Sequence, residues 1–315
     1  MSSTSSTVLR AEKIWLDGEF RAWDDGNIPV MTHALHYGFG VFEGIRAYKT
    51  HDGRLAVFRL QEHMQRLLDS AHILMLKMPY TLEQLCDATV ELLRQQKHLF
   101  ANGAYLRPIA FMGDGAMGLG ANNPTRVAIT AWDWGPYLGD KGVAEGIRAK
   151  VSSFTRMHVN VNMVRGKVTG QYVNSILAKR EAVLGGYDEA ILLDISGFVA
   201  EASGENLFML TQKGVVKTPP LSSPILSGIT RDTVLRLLRE DGREIEETTF
   251  TRDAMYISNE VFFCGTAAEI TPVREVDNRQ IGTGKPGPTT RWVQEKYFEV
   301  VRGQNPKYAE WLTYI

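Results

Sequence analysis

Apolar and polar residues alternate in short runs early in the chain, in "KIWLDGEF", "GIRAYKT" and "RLAVFRL". Such alternation predicts strands with one buried face, and Asp17-Gly18 and Asp52-Gly53 supply turn residues between them. The period then changes: Met64, Leu67, Leu68 and Ala71 recur at helical spacing in "QEHMQRLLDSAHILM", and "TLEQLCDATVELLRQQ" repeats the pattern behind Thr81, a suitable cap. Strand-like "AYLRPIAFM" and "RVAITAW" flank a glycine-rich loop. "WDWGPYLGDKG" fits neither period, which predicts an interdomain linker at 132–142. Beyond it, "EAILLDI", "NLFMLT", "GVVKTP" and "EVFFCGT" predict strands, with helices after Tyr172, Thr230 and Pro288. The expected architecture is a two-domain α+β / α/β protein. It has a smaller α+β domain at 1–131 and a larger strand-rich domain at 143–315 with a barrel-like or curved sheet.

The length of 315 residues agrees with two packed units. With 35 basic and 36 acidic residues the formal charge is -1, which offers no field for a polyanionic backbone or an anionic membrane. Nucleic-acid and membrane partners are therefore not expected. Cys86 and Cys264 lie far apart in apolar surroundings, without metal or redox spacing, and point to a reduced, cytoplasmic setting. The opening "MSSTSSTVLRAEK" lacks the apolar centre of a signal peptide and is expected to be the frayed start of a soluble protein.

Some apparent motifs fail. Gly113, Gly115 and Gly118 have dinucleotide-binding spacing, but "ANNPT" follows, where Asn-Asn-Pro prevents the helix whose N-terminus would hold a pyrophosphate. A flexible loop is expected there. His33 and His36 lack a third ligand nearby and are expected to be structural, with no metal. "ILSGITRDTVLRLL" places Gly228, Ile229 and Thr230 at a helix N-terminus, where free N–H groups and the helix dipole suit an anion; plain capping by Thr230 is the alternative. Thr266 in "CGTAAEI" and Arg59 after "LAVF" could also reach a phosphate. Of the two lysines in "RGKVTGQYVNSILAKREA", Lys179 is expected on a solvated helix face opposite Ile176, Leu177 and Val183. Lys167 precedes that helix, between Gly166 and Gly170, whose φ freedom would admit a ligand. As a nucleophile it would need a dry pocket or a nearby cation to offset about 4–5 kcal/mol of protonation.

The segments "HALHYGFGVFEGIRAY", "GKVTGQYVNSILAKREA", "GFVAEASGENLFML", "ILSGITRDT" and "EVFFCGTAAEITPV" resemble, in this order, the branched-chain amino acid aminotransferases of the fold-type IV pyridoxal-phosphate enzymes. The similarity runs from about Ile14 to "KPGPTTRW"; Thr169 and Gln171 fall where that family varies. The resemblance implies that Lys167 forms a Schiff base with pyridoxal 5'-phosphate and later shuttles a proton. It pairs Glu201 with the pyridine nitrogen and Tyr172 with the phenolic oxygen. Arg59, Ile229, Thr230 and Thr266 would hold the phosphate, with Leu226 and Gly228 also in the cofactor site.

On the substrate side the resemblance implies an aromatic wall of Tyr37, Phe42 and Tyr137, the last acting as a lid. Arg107 would meet the second carboxylate of glutamate, Tyr105 and the backbone at Thr266 and Ala267 the α-carboxylate, and Arg46 belongs to the same site. Tyr37 and Leu119 would reach a neighbouring subunit's site, so a homodimer is the minimum unit and a hexamer a larger assembly. The implied reaction interconverts leucine, isoleucine and valine with their 2-oxo acids, with 2-oxoglutarate and glutamate as the other pair. A D-amino acid or (R)-amine transaminase, an aminodeoxychorismate lyase, or a non-catalytic sugar-phosphate or nucleotide-binding module are the alternatives.

Overall fold

A computed structural model describes residues 10–135 and 137–315, so most of the Ser/Thr-rich opening lies outside the described residues. The chain divides into two compact units. Of the described residues, the first comprises 10–135, 168–170 and 301–315. Its elements are β1 (Lys13–Leu16), β2 (Glu19–Ala22), α1 (His33–Tyr37), β3 (Gly40–Phe42), β4 (Ile45–Lys49), β5 (Leu55–Phe58), α2 (Leu60–Ile73), α3 (Leu82–Gln95), β6 (Gly103–Met112) and β7 (Thr125–Trp132). The second comprises 137–167 and 171–300. It carries α4 (Gly139–Glu145), β8 (Ile147–Val151), α5 (Tyr172–Leu184), β9 (Glu189–Leu193), β10 (Val199–Ala202), β11 (Asn206–Leu210), β12 (Val216–Thr218), α6 (Ile229–Glu240), β13 (Ile245–Glu247), α7 (Arg252–Tyr256), β14 (Glu260–Gly265), β15 (Glu269–Val276), β16 (Arg279–Gln280) and α8 (Pro288–Val301). The chain ends in β17 (Leu312–Tyr314).

In the first unit eight strands form one sheet, ordered β17-β5-β4-β6-β7-β1-β2, with β3 also on β6. The Asp17-Gly18 turn has positive φ at both residues, 49° and 95°, as a tight hairpin between right-twisted strands requires. Pro108 lies inside β6 without an N–H to give. It falls opposite the gap at Glu43-Gly44 between β3, which pairs with residues 109–111, and β4, which pairs with 103–106. Leu60, Met64 and Leu67 of α2 and Leu85, Leu92 and Leu93 of α3 form the core with Ile45, Val57, Leu106 and Ile129. Thr81 caps α3 in a reciprocal box with Gln84. The last residues, expected with the second domain, pair instead with the first unit: Leu312 lies opposite Phe58 in an antiparallel β17–β5 ladder. Likewise the expected linker at 132–142 is partly regular, since Trp132 ends β7 and α4 begins at Gly139.

The second unit's nine-stranded sheet has the order β10-β9-β8-β15-β14-β11-β12-β13, with β16 on β15. It is mixed: β8 runs parallel to both β9 and β15. Helix α5 corrects the expectation made for it. Ile176, Leu177 and Val183 are exposed, and Ser175, Ala178 and Ala182 are the buried residues. Ala178 and Ala182 cluster with Ala190 and Leu192 of β9, so the small side chains set a close approach and turn the larger apolar ones outward. That rotation carries Lys179 to the start of β9.

Candidate active site

In the second unit Lys167 Nζ donates to Tyr172 Oη at 2.6 Å, across the turn that opens α5. The lysine segment is tied to the loop before α6, because Arg165 donates to Ser227 Oγ and to the carbonyl of Leu221, both at 2.7 Å. Glu201 of β10 is buried. One oxygen meets Arg156 Nη2 at 2.7 Å, and the other accepts from Asn206 Nδ2 at 3.1 Å and from the Leu226 N–H at 3.0 Å. Burial pushes the Glu201 carboxyl up, against the opposing effects of Arg156, the Leu226 N–H and Lys167. Arg156 and Asn206 were not singled out in the sequence; "GEN" beside Glu201 was a local signal for Asn206, whereas Arg156 is brought in from a distant loop.

The N-terminus of α6 bears on the alternative of plain capping. Its cap is Gly228 and no side chain caps it, so Thr230 does not serve that purpose. A Cβ on Gly228 would collide with Asn206 Oδ1, so glycine lets the cradle close on the residue that supports Glu201. The Ala267 carbonyl, in the β14–β15 turn with Thr266, accepts from the Tyr137 N–H at 3.1 Å.

Lys179 is not a solvated lysine. Its Nζ donates to Glu189 Oε2 at 2.6 Å and stands 5.0 Å from the centroid of the Tyr137 ring. Glu189 is fully buried and also accepts from Ser203 Oγ at 2.6 Å. Tyr137 as a whole residue is 38% exposed, but burial pushes its hydroxyl up to about 12, with Lys179 opposing. The expected ligand-admitting glycines also differ: neither Gly166 nor Gly170 has positive φ. Gly170 instead packs on Gly38 within the first unit, where a Cβ on Gly38 would lie 2.8 Å from Gly170 Cα. Its N–H donates to the Gly38 carbonyl at 3.1 Å.

The first unit assembles a separate group. Arg107 and Tyr105 project from β6; Arg107 Nη2 donates to Tyr105 Oη at 3.4 Å, and its Cζ stands 4.7 Å from the Phe42 ring centroid. Its buried Nε has no hydrogen-bond partner, which suits a binding residue whose acceptor is an arriving anion. A Cβ on Gly44 would collide with Tyr105 Oη, so this glycine makes room for the hydroxyl. Between Phe42 and Gly44, the buried Glu43 accepts from Arg66 Nε at 2.7 Å and His63 Nδ1 at 2.8 Å. Burial pushes the Glu43 carboxyl up, but Arg66 and His63 overcome that and hold it well below the usual range. Arg46 donates to the carbonyls of Trp134 and Gly135 at 2.9 and 2.8 Å, so it fixes the backbone ahead of Tyr137. Arg59, buried after β5, caps α2 in a left-handed conformation. Tyr37 and Leu119 are exposed. His33 Nε2 bonds the Gly118 carbonyl at 3.0 Å, and the glycine loop leads into β7 without a helix.

Residues 40–276 match the family model for class IV amino-transferases. The chain is 48% identical to the branched-chain-amino-acid aminotransferase of Pseudomonas aeruginosa, over 96% of this chain and 97% of that one. The crystal structure of the Escherichia coli branched-chain amino acid aminotransferase superposes with a TM-score of 0.92 at 43% identity, covering 96% of this chain and 99% of that one. The branched-chain amino acid aminotransferase from Thermobaculum terrenum, in its PLP-form, has a TM-score of 0.89 at 34% identity, covering 96% and 98%. With its two-domain fold and this near full-length similarity, the chain belongs to the class IV amino-transferase family.

Proposed function

We propose that this protein is a branched-chain amino acid aminotransferase that interconverts leucine, isoleucine and valine with their 2-oxo acids. Glutamate and 2-oxoglutarate form the other pair, and pyridoxal 5'-phosphate is the cofactor. The observation that carries this reading is the Lys167–Tyr172 contact of 2.6 Å in a unit that also presents a buried, arginine-held Glu201. The donor set fits the cofactor. An amine is available for covalent attachment, a carboxylate for the ring nitrogen, and an uncapped helix N-terminus with Thr230 for the phosphate. The family resemblance would add Thr266 and Arg59 to the phosphate ligands and set Leu226 and Gly228 beside the ring.

Pyridoxal phosphate, when bound, supplies the electron sink that lets a substrate α-carbon release its proton. Lys167 Nζ is the base that takes this proton and returns it, and Tyr172 Oη orients that nitrogen. Glu201, held by Arg156 and Asn206, places negative charge where the pyridine nitrogen must stay protonated. By the family resemblance, Phe42 and Tyr137, with Tyr37 from a second copy, would provide an apolar wall for branched side chains. By the same resemblance Arg107 would answer the glutamate side-chain carboxylate, and Tyr105 and the backbone at Thr266 and Ala267 the α-carboxylate.

We further place Tyr37 and Leu119 in a second copy's site, which makes a homodimer the smallest working unit and leaves a hexamer as a larger assembly. Exposed Val30, Met31 and Leu35 near Tyr37 support a covered face there. A cytoplasmic setting agrees with two unbridged cysteines, and no helix among the described residues is long and apolar enough to cross a membrane.

Purified protein should absorb as a lysine-bound cofactor, and borohydride should fix that cofactor on Lys167. L-leucine and L-glutamate should each convert the spectrum while their D-enantiomers do not; conversion by D-amino acids alone would favour the D-specific alternative. Lys167→Ala should lower turnover by at least about 10³-fold, and full activity in that variant would remove Lys167 from the mechanism.

A further inference from the structure

Arg59 is the N-cap of α2 and the only described link between β5 and that helix, with φ 52° and ψ 44°. A non-glycine residue takes this left-handed conformation only where its surroundings hold it there. One residue far along the chain contributes to those surroundings twice. The Arg59 N–H donates to the Trp311 carbonyl at 2.7 Å, and the guanidinium carbon lies 4.6 Å from the Trp311 ring centroid. Arg59 Nε donates to Glu62 Oε1 at 2.8 Å.

Trp311 is itself immobilised. It is buried, stacked on Tyr308 at 4.5 Å between centroids, and meets the edge of Phe58 at 6.0 Å. The β17–β5 ladder begins at the next residue, with Leu312 opposite Phe58. Trp311 thus meets the main chain of Arg59 through its carbonyl and the guanidinium through its ring, beside the Glu62 contact.

We propose that Trp311 is the positioning residue for Arg59, and that the segment 306–314 thereby sets the phosphate-dependent part of cofactor affinity. This rests on the reading of Arg59 as a phosphate ligand. A long arginine side chain restrained against a ring loses less freedom on binding an anion than a mobile one.

The test compares affinity for pyridoxal phosphate with affinity for pyridoxal, which lacks the phosphate, measured by absorbance after cofactor release from the holoenzyme and reconstitution. Trp311→Leu should weaken pyridoxal phosphate binding roughly tenfold and leave pyridoxal binding unchanged. Arg59→Ala should lower the preference for the phosphorylated form by more than Trp311→Leu does, the α6 N-terminus and the threonines retaining part of it, and adding Trp311→Leu to it should change nothing further. An unchanged preference in Arg59→Ala would overturn the phosphate role of Arg59 itself. A lowered preference in Arg59→Ala with a normal one in Trp311→Leu would overturn the positioning role alone. So would equal losses of both ligands in Trp311→Leu, which would reduce Trp311 to packing. Should Trp311→Leu fail to fold, Trp311→Phe carries the test: its smaller ring should lower the preference about threefold, and no change would overturn the proposal.

Discussion

Lys179 and Lys167 differ by what surrounds them more than by where they fall in the sequence. Lys179 neutralises Glu189, a carboxylate with no exposed surface. Lys179→Met would strand that charge and should destabilise the fold by about 3 kcal/mol, read as a lower urea midpoint. Replacing Glu189 by Leu in the same chain should restore much of the loss; equal instability of the single and double variants would contradict the pairing. Glu205 stands beside this pair, and burial, with the charge of Glu189 added, pushes its carboxyl up to about 8 from 4.5, Lys179 opposing. Its folded value exceeds its unfolded one, so the stability it contributes is complete below about pH 4.5 and is lost as pH rises toward about 8. Glu205→Gln should therefore gain stability over the parent protein at pH 8 and show no gain at pH 4.5. Parallel stability curves across that range would refute it. Neither Glu189 nor Glu205 announced itself in the sequence, because burial of a carboxylate depends on strand packing that local pattern does not encode.

At the scale of elements, what was legible followed amphipathic period and turn chemistry. The two hairpins, α2, α3 with its Thr81 cap, and strands β6, β7, β9, β11, β12 and β14 all carry such signals. Strand β15 does not: Pro272 interrupts it, yet the residue pairs with Phe262 of β14 on one side while the β8 ladder starts only at Val273. Helix α5 misled because apolar size was read as burial, when alanines chose the packed face. Overpacking that face with Ala182→Leu should cost about 1–3 kcal/mol, whereas Ile176→Lys, on the exposed face, should change monomer stability by less than about 0.5 kcal/mol. Chemical denaturation of both variants checks this, and the reverse ranking would reinstate the sequence-based face.

At the scale of the molecule, the five motif segments made the family legible and contain Lys167, Tyr172, Glu201, Thr230 and Thr266, whereas Arg59, Tyr105, Arg107, Leu119 and Tyr137 lie outside them. The supports were less legible: Arg156, Trp311 and the Gly38–Gly170 contact depend on which distant segments meet, and of them all only Asn206 lies in the same motif as the residue it supports. The domain that local pattern closed at residue 131 is completed by residues 301–315. Removing 312–315 should therefore leave β5 at an open sheet edge, and limited proteolysis should cut within 10–135 faster than in the full chain while a 171–300 body persists. Unaltered cleavage would show that the ladder adds nothing. The same ladder has a consequence during synthesis. Phe58 leaves the ribosome long before Leu312 is added, an interval on the order of tens of seconds at ordinary translation rates. Throughout that wait the earliest-made unit is begun but not closed, and the unpaired edge of β5 is open to other strands. The nascent chain, more than the finished protein, is where this fold is exposed to misassembly.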